Sequence, residues 1–553
     1  HRLLRLHWQE AGLPESFQIL DSDDQLRMVK RVSADLDLDD SRFPPRQIAW
    51  WINAQKDEGR RPEHLQIGAG DYMGREMLRA YAEYEIRCRR AGLVDFAEIL
   101  LRAHETLRDH AALLAHYQHR FRHLLIDEFQ DTNAIQYAFV RLLAGESGQV
   151  FIVGDDDQAI YGWRGAKVEN VQRVLADYPG TRTIKLEQNY RSTGTILAAA
   201  NAVIGHNTDR LGKNLRTEAG DGSAIDVYAA YNEMDEARYI VERVRQHVAA
   251  GGRLVDCAVL YRMHAQSRVF EEVFMRMNIP YRIVGGLRFY ERKEVKDLLA
   301  YLRLIANAKD DVSFKRVVNV PTRGIGEVSL ARLAAEAQAR GCSLFEAATE
   351  LDGASLGLKL ATKAKLEGFV KQMSTFARQA EFMALHDLVE LVLEQTGLLR
   401  QYVVDDSPEA LTRQENLAEV VSVAQDFAEK NPDTNLLDFL NSVSLVTAAD
   451  DASEAQGGAV TLMSLHSAKG LEFPVVFLVG LEEGVFPHSR ILQGGETAEL
   501  EEERRLCYVG ITRARERLFL TYAKQRLLFG RHSLSLPSRF IAELPASCLL
   551  QRG

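Results

Sequence analysis

The sequence has 553 residues, 46% hydrophobic and 26% charged, so we expect roughly three or four folded domains rather than a disordered chain. Its formal net charge of -10 excludes a protein that is basic throughout, although a local groove can still bind phosphates. The five scattered cysteines form no CxxC pair or zinc-spaced cluster, and no apolar run approaches the roughly 20 residues of a membrane span, which favours a reduced cytoplasmic protein without structural metal.

The first 120 residues carry helical patterns with only weak strand signals. The stretch "SDDQLRMVKRVSADL" begins at a predicted helix cap, Ser22, and "REMLRAYAEYEIRCRRAG" ends at a glycine after basic residues. From residue 121 the chain changes to short β-rich apolar runs followed by polar loops. Helical patterns dominate again over 285–456, and strand patterns return over 457–545, followed by a short tail at 546–553.

This order of elements predicts an α/β protein with two parallel-sheet domains, each carrying helices inserted into it. We expect the first domain to contain a helical subdomain at 1–120 and a sheet portion at 121–187. The second domain is expected to begin at 188–284, to be interrupted by a helical insertion at 285–456, and to resume at 457–545. Such sheets bind ligands at the carboxyl ends of their strands, so the polar loops there are candidate sites.

The first of these loops follows the apolar run "HLLI" and begins with Asp127 and Glu128. Phosphoryl-transfer enzymes place acids there because a magnesium ion prefers oxygen ligands and the attacking water requires a nearby carboxylate. We therefore expect Asp127 to bind Mg²⁺ and Glu128 to orient water. The alternative is a plain helix start, since acidic residues also favour a first helical turn.

A second polar loop follows the next apolar run, in "FIVGDDDQAIYGWRGA" at 151–166. Gln158 in this loop can contact a terminal phosphate oxygen. Tyr161, Trp163 and Arg164 form an aromatic and guanidinium set that suits stacking on unpaired bases of any sequence. A tryptophan near a loop more often packs into a core, but this one lies in a polar loop flanked by glycines.

Two later segments carry arginines suited to a phosphoryl group. In "LEQNYRS" at 186–192, Tyr190 can stack on a purine and Arg191 can neutralise developing negative charge. In "EEERRLCYVGITRAR" at 501–515, Arg513 offers a second such arginine. A helical arginine is more often a solvated surface residue, so these signals carry weight only together.

Taken in order, these segments resemble the helicase motifs of the superfamily 1 UvrD/Rep/PcrA helicases, and the resemblance is strongest to the UvrD-type members. The matching stretches include "DEFQDTN", "VGDDDQAIYGWRGA", "LEQNYRS", "TLMSLHSAKGLEF" at 461–473 and "EEERRLCYVGITRAR". Likeness outside the motifs, as in "AGLVDFAEILLRAH", "YRIVGGLRFYERKEVKD" and "PTRGIG", extends the resemblance over the whole chain. The family implies two RecA-like P-loop NTPase motor domains, each with a helical insertion, and ATP-driven 3'-to-5' movement on single-stranded DNA.

The resemblance also implies ATP and Mg²⁺ as cofactors and a set of nucleotide-facing residues. By motif position, Asp127 matches the magnesium-binding acid and Glu128 the residue that activates water. Gln158, Arg191 and Arg513 match positions that contact the γ-phosphate. Tyr190 matches the adenine-stacking ring, and Glu472 matches a further nucleotide contact. ATP binding is expected to draw these groups together and hydrolysis to release them.

The DNA-facing residues that the family implies are spread over the same motifs. Those matching positions along the single strand are Phe96, Tyr161, Trp163, Arg164, Arg262 and His466. Phe529 in "RLLFGRH" resembles the tip of the strand-separating pin, although burial in a core is nearly as good an interpretation. Arg323 in "PTRGIG" at 321–326 resembles an element that grips duplex phosphates, and an ordinary turn between helices is the even alternative.

One required motif is missing from the sequence. The family needs a Gly-rich loop ending in Gly-Lys-Ser/Thr to hold the β and γ phosphates, and the nearest stretches, "LGKN" at 211–214 and "AKG" at 468–470, are not in that frame. The family's motif order places this loop ahead of His1. We therefore expect an N-terminally truncated helicase that is inactive alone.

Several alternatives remain open from sequence. These are a non-catalytic DNA-binding protein that has lost its phosphate loop, a Rep-type replication helicase, a recombination-nuclease module and a nucleotide kinase. Retention of the acids, Gln158 and both arginines argues against the first, and the last explains neither the paired motor motifs nor the aromatic residues. The resemblance favours a role in excision and mismatch repair, acting on single strands and junctions with repair-protein partners, as a nucleoid-associated monomer or transient dimer without membrane contact.

Overall fold

The computed structural model describes the chain except for residues 41, 69, 147, 209, 351–357, 406, 433, 452–457, 495–496, 529–530 and 553. The described residues form two compact units. Unit 1 comprises His1–Leu186, Asn207–Lys213 and Val404–Pro408, and unit 2 comprises Glu187–His206, Asn214–Val403 and Glu409–Gly553. Neither unit is a single stretch of sequence.

Unit 1 is mainly helical and contains four short strands. Its helices are α1 (Arg2–Leu6), α2 (Ser22–Asp35), α3 (Pro45–Asp57), α4 (Tyr72–Ala91), α5 (Phe96–Asp109), α6 (Ala111–Arg120), α7 (Ala134–Ala144) and α8 (Glu169–Asp177). Its strands are β1 (Gln18–Ile19), β2 (Leu93–Val94), β3 (His123–Ile126) and β4 (Gln149–Ile152). The pairs β1–β2 and β3–β4 are both parallel.

The ends of two predicted helices in unit 1 can be compared directly with the sequence signals. Helix α4 ends where expected, because Gly92 adopts a left-handed conformation with φ of 63° immediately after Ala91. The predicted cap of α2 was wrong by one residue. Asp21, not Ser22, caps that helix, and its side chain accepts a 2.8 Å hydrogen bond from the Asp24 amide.

Unit 2 is built around a seven-stranded sheet in the order β13-β5-β10-β9-β6-β8-β7, with every described pair parallel. The strands are β5 (Ile225–Ala230), β6 (Cys257–Tyr261), β7 (Tyr281–Val284), β8 (Val460–Ser464), β9 (Phe473–Leu478), β10 (Ala514–Ala523) and β13 (Leu549–Arg552), with an antiparallel hairpin formed by β11 (Gln525–Leu528) and β12 (Arg531–Leu534). Segment 546–553, predicted as a tail, thus supplies a strand. All residues of β6 and β8 are buried, as expected for strands covered on both faces.

The helices of unit 2 lie on the sheet and in the long interval between β7 and β8. They are α9 (Gly194–Ile204), α10 (Glu233–Ala249), α11 (Ser267–Arg276), α12 (Lys293–Ala306), α13 (Asp311–Val317), α14 (Glu327–Arg340), α15 (Leu344–Thr349), α16 (Leu360–Gln379), α17 (Leu385–Thr396), α18 (Arg400–Val403), α19 (Pro408–Lys430), α20 (Leu436–Asp451), α21 (Ser489–Gly494), α22 (Thr497–Ile511) and α23 (Arg539–Ala542). Helices α12 to α20 contribute to one apolar core of their own. The predicted α/β class with a parallel sheet and inserted helices is confirmed.

A buried ionic cluster anchors the β11–β12 hairpin to the sheet of unit 2. The Arg526 guanidinium donates to Glu482 (Nε to Oε2, 2.9 Å) and to Glu236 (Nη2 to Oε2, 2.7 Å), and all three side chains are buried. The two glutamates also accept bonds from the Thr521 hydroxyl and the Ala523 amide in β10. The base of the hairpin is therefore fixed by charge-assisted bonds rather than by apolar packing alone.

Among the residues described, no helix combines the length and the apolar character needed to cross a membrane.

Candidate nucleotide and nucleic-acid sites

The predicted catalytic acids lie together at the carboxyl end of β3 in unit 1. Asp127 and Glu128 are both exposed, and the Glu128 amide donates a 2.9 Å hydrogen bond to the Asp127 carboxylate. Glu128 has φ of 50° and ψ of 40°, a left-handed conformation that few non-glycine residues adopt. Sharply turned backbone thus presents two adjacent carboxylates at the position where parallel sheets bind ligands.

Gln130 supports Glu128 and was missed by the sequence interpretation. Its side-chain amide nitrogen donates a 2.6 Å bond to Glu128 Oε2, while its oxygen accepts a 2.9 Å bond from the Asp155 amide after β4. Gln130 is almost completely buried. A Cβ on Gly154 would lie 2.9 Å from Gln130 Oε1, so that glycine leaves room for the bridge. Only the pairing of β3 with β4 brings these loops together, which is why no local sequence signal identified the residue.

Gln158 lies in the loop after β4, at the end of a short 3-10 turn, Asp156–Gln158. Its amide nitrogen donates a 2.7 Å bond to Asp155 Oδ2. Asp155 therefore contacts both Gln130 and Gln158. The structure brings three of the predicted catalytic residues of unit 1, Asp127, Glu128 and Gln158, into neighbouring loops of one sheet edge.

The predicted base-stacking rings of unit 1 lie in the same loop, a few residues further on. Tyr161 and Trp163 are arranged edge to face, with ring centroids 6.4 Å apart, and Trp163 is 36% exposed. Arg164 is the last residue of the turn Gly162–Arg164. Phe96, the first residue of α5, is 64% exposed and follows Asp95, whose carboxylate caps that helix. Exposed rings of this kind can accept a stacked base.

In unit 2 the predicted nucleotide residues form a second group. Tyr190 is 91% exposed, so its ring is accessible to a partner. Arg191 forms an ion pair with Glu472 and donates a 3.4 Å bond to the Thr512 carbonyl. That Arg191 contact holds the pKa of the Glu472 carboxyl below its ordinary value, so Glu472 stays ionised.

Arg513 is placed differently from an exposed arginine finger. It is 1% exposed, and its guanidinium donates 3.0 Å bonds to the Val509 and Leu471 carbonyls and a 3.1 Å bond to the Thr512 hydroxyl. In this structure Arg513 therefore fixes the junction between α22 and β10 beside the Arg191 group.

Two predicted DNA contacts in unit 2 lie at strand ends. Arg262 follows β6 and donates a 2.8 Å bond to Glu503 of α22, so its charge is already balanced within the unit. His466 begins the turn His466–Ala468 after β8 and is partly exposed. Both strands are neighbours in the sheet, which places these two residues at the same edge.

Arg323 and Phe529 complete the predicted DNA residues. Arg323 is partly exposed, but its guanidinium is directed into its own helical region. One terminal nitrogen donates a 3.0 Å bond to the Val317 carbonyl, and the other donates a 2.6 Å bond to the Tyr301 hydroxyl. Its planar group also lies 5.1 Å from the Phe369 ring centroid. This geometry shapes the 321–326 loop. Phe529 lies outside the described residues.

These features together define a class of protein. A parallel α/β sheet, adjacent acids at a strand end, and arginines close to a glutamate are features of RecA-like P-loop NTPase motors.

Comparison with known proteins gives the family. The model of the UvrD/REP helicase N-terminal domain matches residues 1–179, and that of the UvrD-like helicase C-terminal domain matches residues 184–525. DNA helicase II of Escherichia coli (strain K12) is 50% identical over 552 residues, covering 99% of this chain and 76% of that protein. DNA helicase II of Haemophilus influenzae is 48% identical over 554 residues (99% and 75%), and ATP-dependent DNA helicase PcrA of Staphylococcus aureus is 41% identical over 550 residues (99% and 75%). The chain belongs to the UvrD-like DNA helicase family, whose members are ATP-dependent enzymes.

Proposed function

We propose that the protein is an ATP-driven translocase that moves 3'-to-5' on single-stranded DNA and unwinds duplexes during excision and mismatch repair at the bacterial nucleoid. The observation that carries the proposal is the Asp127–Glu128 pair at the end of β3, with Glu128 held by Gln130. The exposed rings of Phe96 and Trp163 in the same unit supply a matching surface for unpaired bases. The relatives named DNA helicase II support the unwinding of DNA, and the repair role is proposed from the motif resemblance to UvrD-type helicases.

The residues of unit 1 account for the proposed chemistry. The Glu128 carboxylate would accept the proton of the water that attacks the terminal phosphate, while Gln158 orients a phosphate oxygen. The exposed carboxylate of Asp127 is a hard oxygen ligand that fits Mg²⁺, and the ion would neutralise phosphate charge when bound. In unit 2, we propose that Tyr190 stacks on adenine and that Arg191 and Glu472 contact the nucleotide. We propose that Arg513, which is buried here, reaches the nucleotide only when its bonds to the Val509 and Leu471 carbonyls open.

We also propose a domain assignment and a DNA track. Residues 1–120 and 121–187 form a first motor with its helical subdomain, and 188–284 with 457–545 form a second motor that carries the 285–456 insertion. The proposed DNA contacts are Phe96, Tyr161, Trp163, Arg164, Arg262, His466 and Phe529. The internal hydrogen bonds of Arg323 favour a role in shaping the 321–326 loop, which we propose contacts duplex phosphates.

We infer that the 553 residues do not hydrolyse ATP by themselves, because their sequence contains no GxxxxGK[ST] loop to hold the β and γ phosphates. The test compares ATPase rates, with and without single-stranded DNA, for this chain and for one extended by a segment bearing that loop. The extended chain is expected to hydrolyse ATP in a DNA-stimulated manner and to unwind 3'-tailed but not 5'-tailed duplexes. Hydrolysis by the 553 residues alone would contradict the inactivity, and an inert extended chain would favour a non-catalytic DNA-binding protein.

A further inference from the structure

A short segment after α9 lies against the loop that carries Gln158. We call residues Arg210–Lys213 the strap. The strap is grouped with unit 1, although the chain on either side of it, up to His206 and from Asn214, is grouped with unit 2. It includes Lys213 of "LGKN", the one lysine of the sequence that directly follows a glycine, although this stretch is not in the frame of a phosphate-binding loop. The structure shows what this lysine contacts instead.

The strap binds all three consecutive aspartates of the loop after β4. Arg210 donates to both oxygens of Asp157, at 2.8 Å from Nε and 2.6 Å from Nη2, and Asp157 is 1% exposed. Lys213 forms an ion pair with Asp155 and lies 3.3 Å from Asp157. The amide of Leu211 donates a 2.6 Å bond to Asp156. The acidic turn thus receives charge-assisted hydrogen bonds from one bidentate guanidinium group and one ammonium group.

The three carboxylates need positive charge nearby. Their ligand oxygens lie within 4.8 Å of one another, and burial raises the pKa of Asp156 above its ordinary value. Arg210 and Lys213 supply that charge from within the chain. We therefore assign the acidic cluster to holding the strap rather than to binding a cation.

The strap connects to the proposed catalytic residues through a continuous series of bonds. Asp155, which pairs with Lys213, accepts the 2.7 Å bond from the Gln158 side chain. The backbone amide of Asp155 donates a 2.9 Å hydrogen bond to the side-chain oxygen of Gln130. The side-chain nitrogen of Gln130 donates a 2.6 Å hydrogen bond to the Glu128 carboxylate. A displacement of Asp155 would therefore move both the group that orients the phosphate and the group that accepts the proton from water.

We propose that Arg210 and Lys213 are positioning residues for ATP hydrolysis, which set the location of Glu128 and Gln158 through Asp155 and Gln130. This inference rests on the proposed function, since it assigns a purpose to residues that act on ATP there.

The first test needs no ATP and uses the 553-residue chain. Hydrogen exchange measured by mass spectrometry over residues 150–160 reports the Asp155 and Asp157 amides, which donate to Gln130 and to Asp155 respectively. Lys213→Gln is expected to speed exchange there about tenfold, and Lys213→Arg to restore protection, because the charge-assisted bond is lost and then remade. Exchange that stays within about twofold of the unaltered chain in Lys213→Gln overturns the proposal.

A matched control removes another ion-paired side chain from unit 1. Arg87 pairs with Asp35 at 2.6 Å and with Glu83 at 2.7 Å on helices outside the acidic turn. Arg87→Ala should leave exchange over 150–160 unchanged. If it speeds exchange as much as Lys213→Gln does, the effect is general loosening of the unit, and the proposal fails.

The second test measures catalysis in the chain extended by a GxxxxGK[ST] segment. Lys213→Gln is expected to lower kcat by about tenfold to a hundredfold, since small misplacement of a catalytic group is costly, with KM for ATP within about twofold and recovery in Lys213→Arg. An unchanged kcat in an active extended chain overturns the positioning role. If the extended chain without substitution is inert, the proposed function fails, whereas the exchange result still decides whether the strap orders the loop.

Discussion

Glu128 occupies a backbone conformation that costs on the order of 1–3 kcal/mol for a residue other than glycine. The surrounding bonds, from its own amide to Asp127 and from Gln130 to its carboxylate, keep it there. Such strain is concentrated at functional sites, where a side chain must be held in one direction. The conformation thus agrees with the role proposed for Glu128 as the proton acceptor.

Glu128→Gln tests that role in the extended chain. The glutamine oxygen can still accept the bond from Gln130, so folding and nucleotide binding should be retained. Turnover of ATP should fall by about 10²- to 10⁴-fold, the usual contribution of a general base. Steady-state hydrolysis and binding of a fluorescent ATP analogue are measured on the same preparation. Turnover close to that of the unsubstituted chain would exclude Glu128 as the base.

Trp163→Ala tests the stacking surface and can be measured on the 553-residue chain. Loss of one stacked base is expected to weaken binding of a single-stranded oligonucleotide by about 1–3 kcal/mol. Fluorescence anisotropy gives the affinity. Trp50→Ala is the matched control, because Trp50 is 52% exposed on α3 and is not part of the proposed track. Equal losses in both variants would assign the effect to nonspecific contact.

Asp57 gives unit 1 a specific dependence on pH. Burial, and secondarily the negative charge of Asp95, raise the pKa of the Asp57 carboxyl from 3.8 to about 6. The folded chain then binds more protons than the unfolded chain between these values, so this group's contribution to stability falls as pH rises from about 4 to about 6.

Asp57→Asn should remove that dependence. Near pH 4 the variant and the unsubstituted chain are expected to have similar free energies of unfolding. At pH 7.5 the variant is expected to be about 1–2 kcal/mol more stable, less than the full pKa shift would give, because solvent screens a partly buried carboxyl. Urea unfolding at the two pH values measures the difference. A stability difference that is the same at both values would contradict the raised pKa.

At the scale of elements, the β11–β12 hairpin depends on Arg526. Arg526→Met leaves Glu236 and Glu482 buried without their cation, which should lower the free energy of unfolding by about 3–5 kcal/mol. Arg539→Met is the matched control, because Arg539 pairs with Glu483 at a more exposed place and should cost about 0–1 kcal/mol. Denaturant unfolding compares the two. Similar small losses would mean that apolar packing alone fixes the hairpin.

Elements also show where sequence patterns succeed and where they do not. The end of α4 was predictable because a glycine after basic residues is a local signal. Strand β6 was predictable as a continuous apolar run, and β8 as a short β-rich segment. The inward direction of the Arg323 side chain was not predictable from sequence. Its partners in the helical region, Tyr301 and Phe369, are distant in sequence, so a motif that suggested phosphate binding could not indicate an inward side chain.

At the scale of the whole molecule, the α/β class and the order of the motifs followed from the sequence, because each motif is a run of consecutive residues at a strand end. The supporting residues did not follow. Gln130 contacts Asp155 across the paired strands β3 and β4, and Lys213 contacts Asp155 from 58 positions further along the chain. Both contacts exist only once the sheet and the strap are in place. Local pattern therefore predicted the groups that we propose to act on ATP, and the fold shows which residues hold those groups.

The strand order of unit 2 bears on how the chain is made. Strand β5 pairs with β10 on one side and β13 on the other, and Asp226 of β5 bonds to Arg552, 326 positions later. During synthesis β5 therefore emerges long before either neighbour, with both edges open to pairing with another chain. Such distant pairing is slow to form, so nascent unit 2 should rely on chaperones until its final strands are translated.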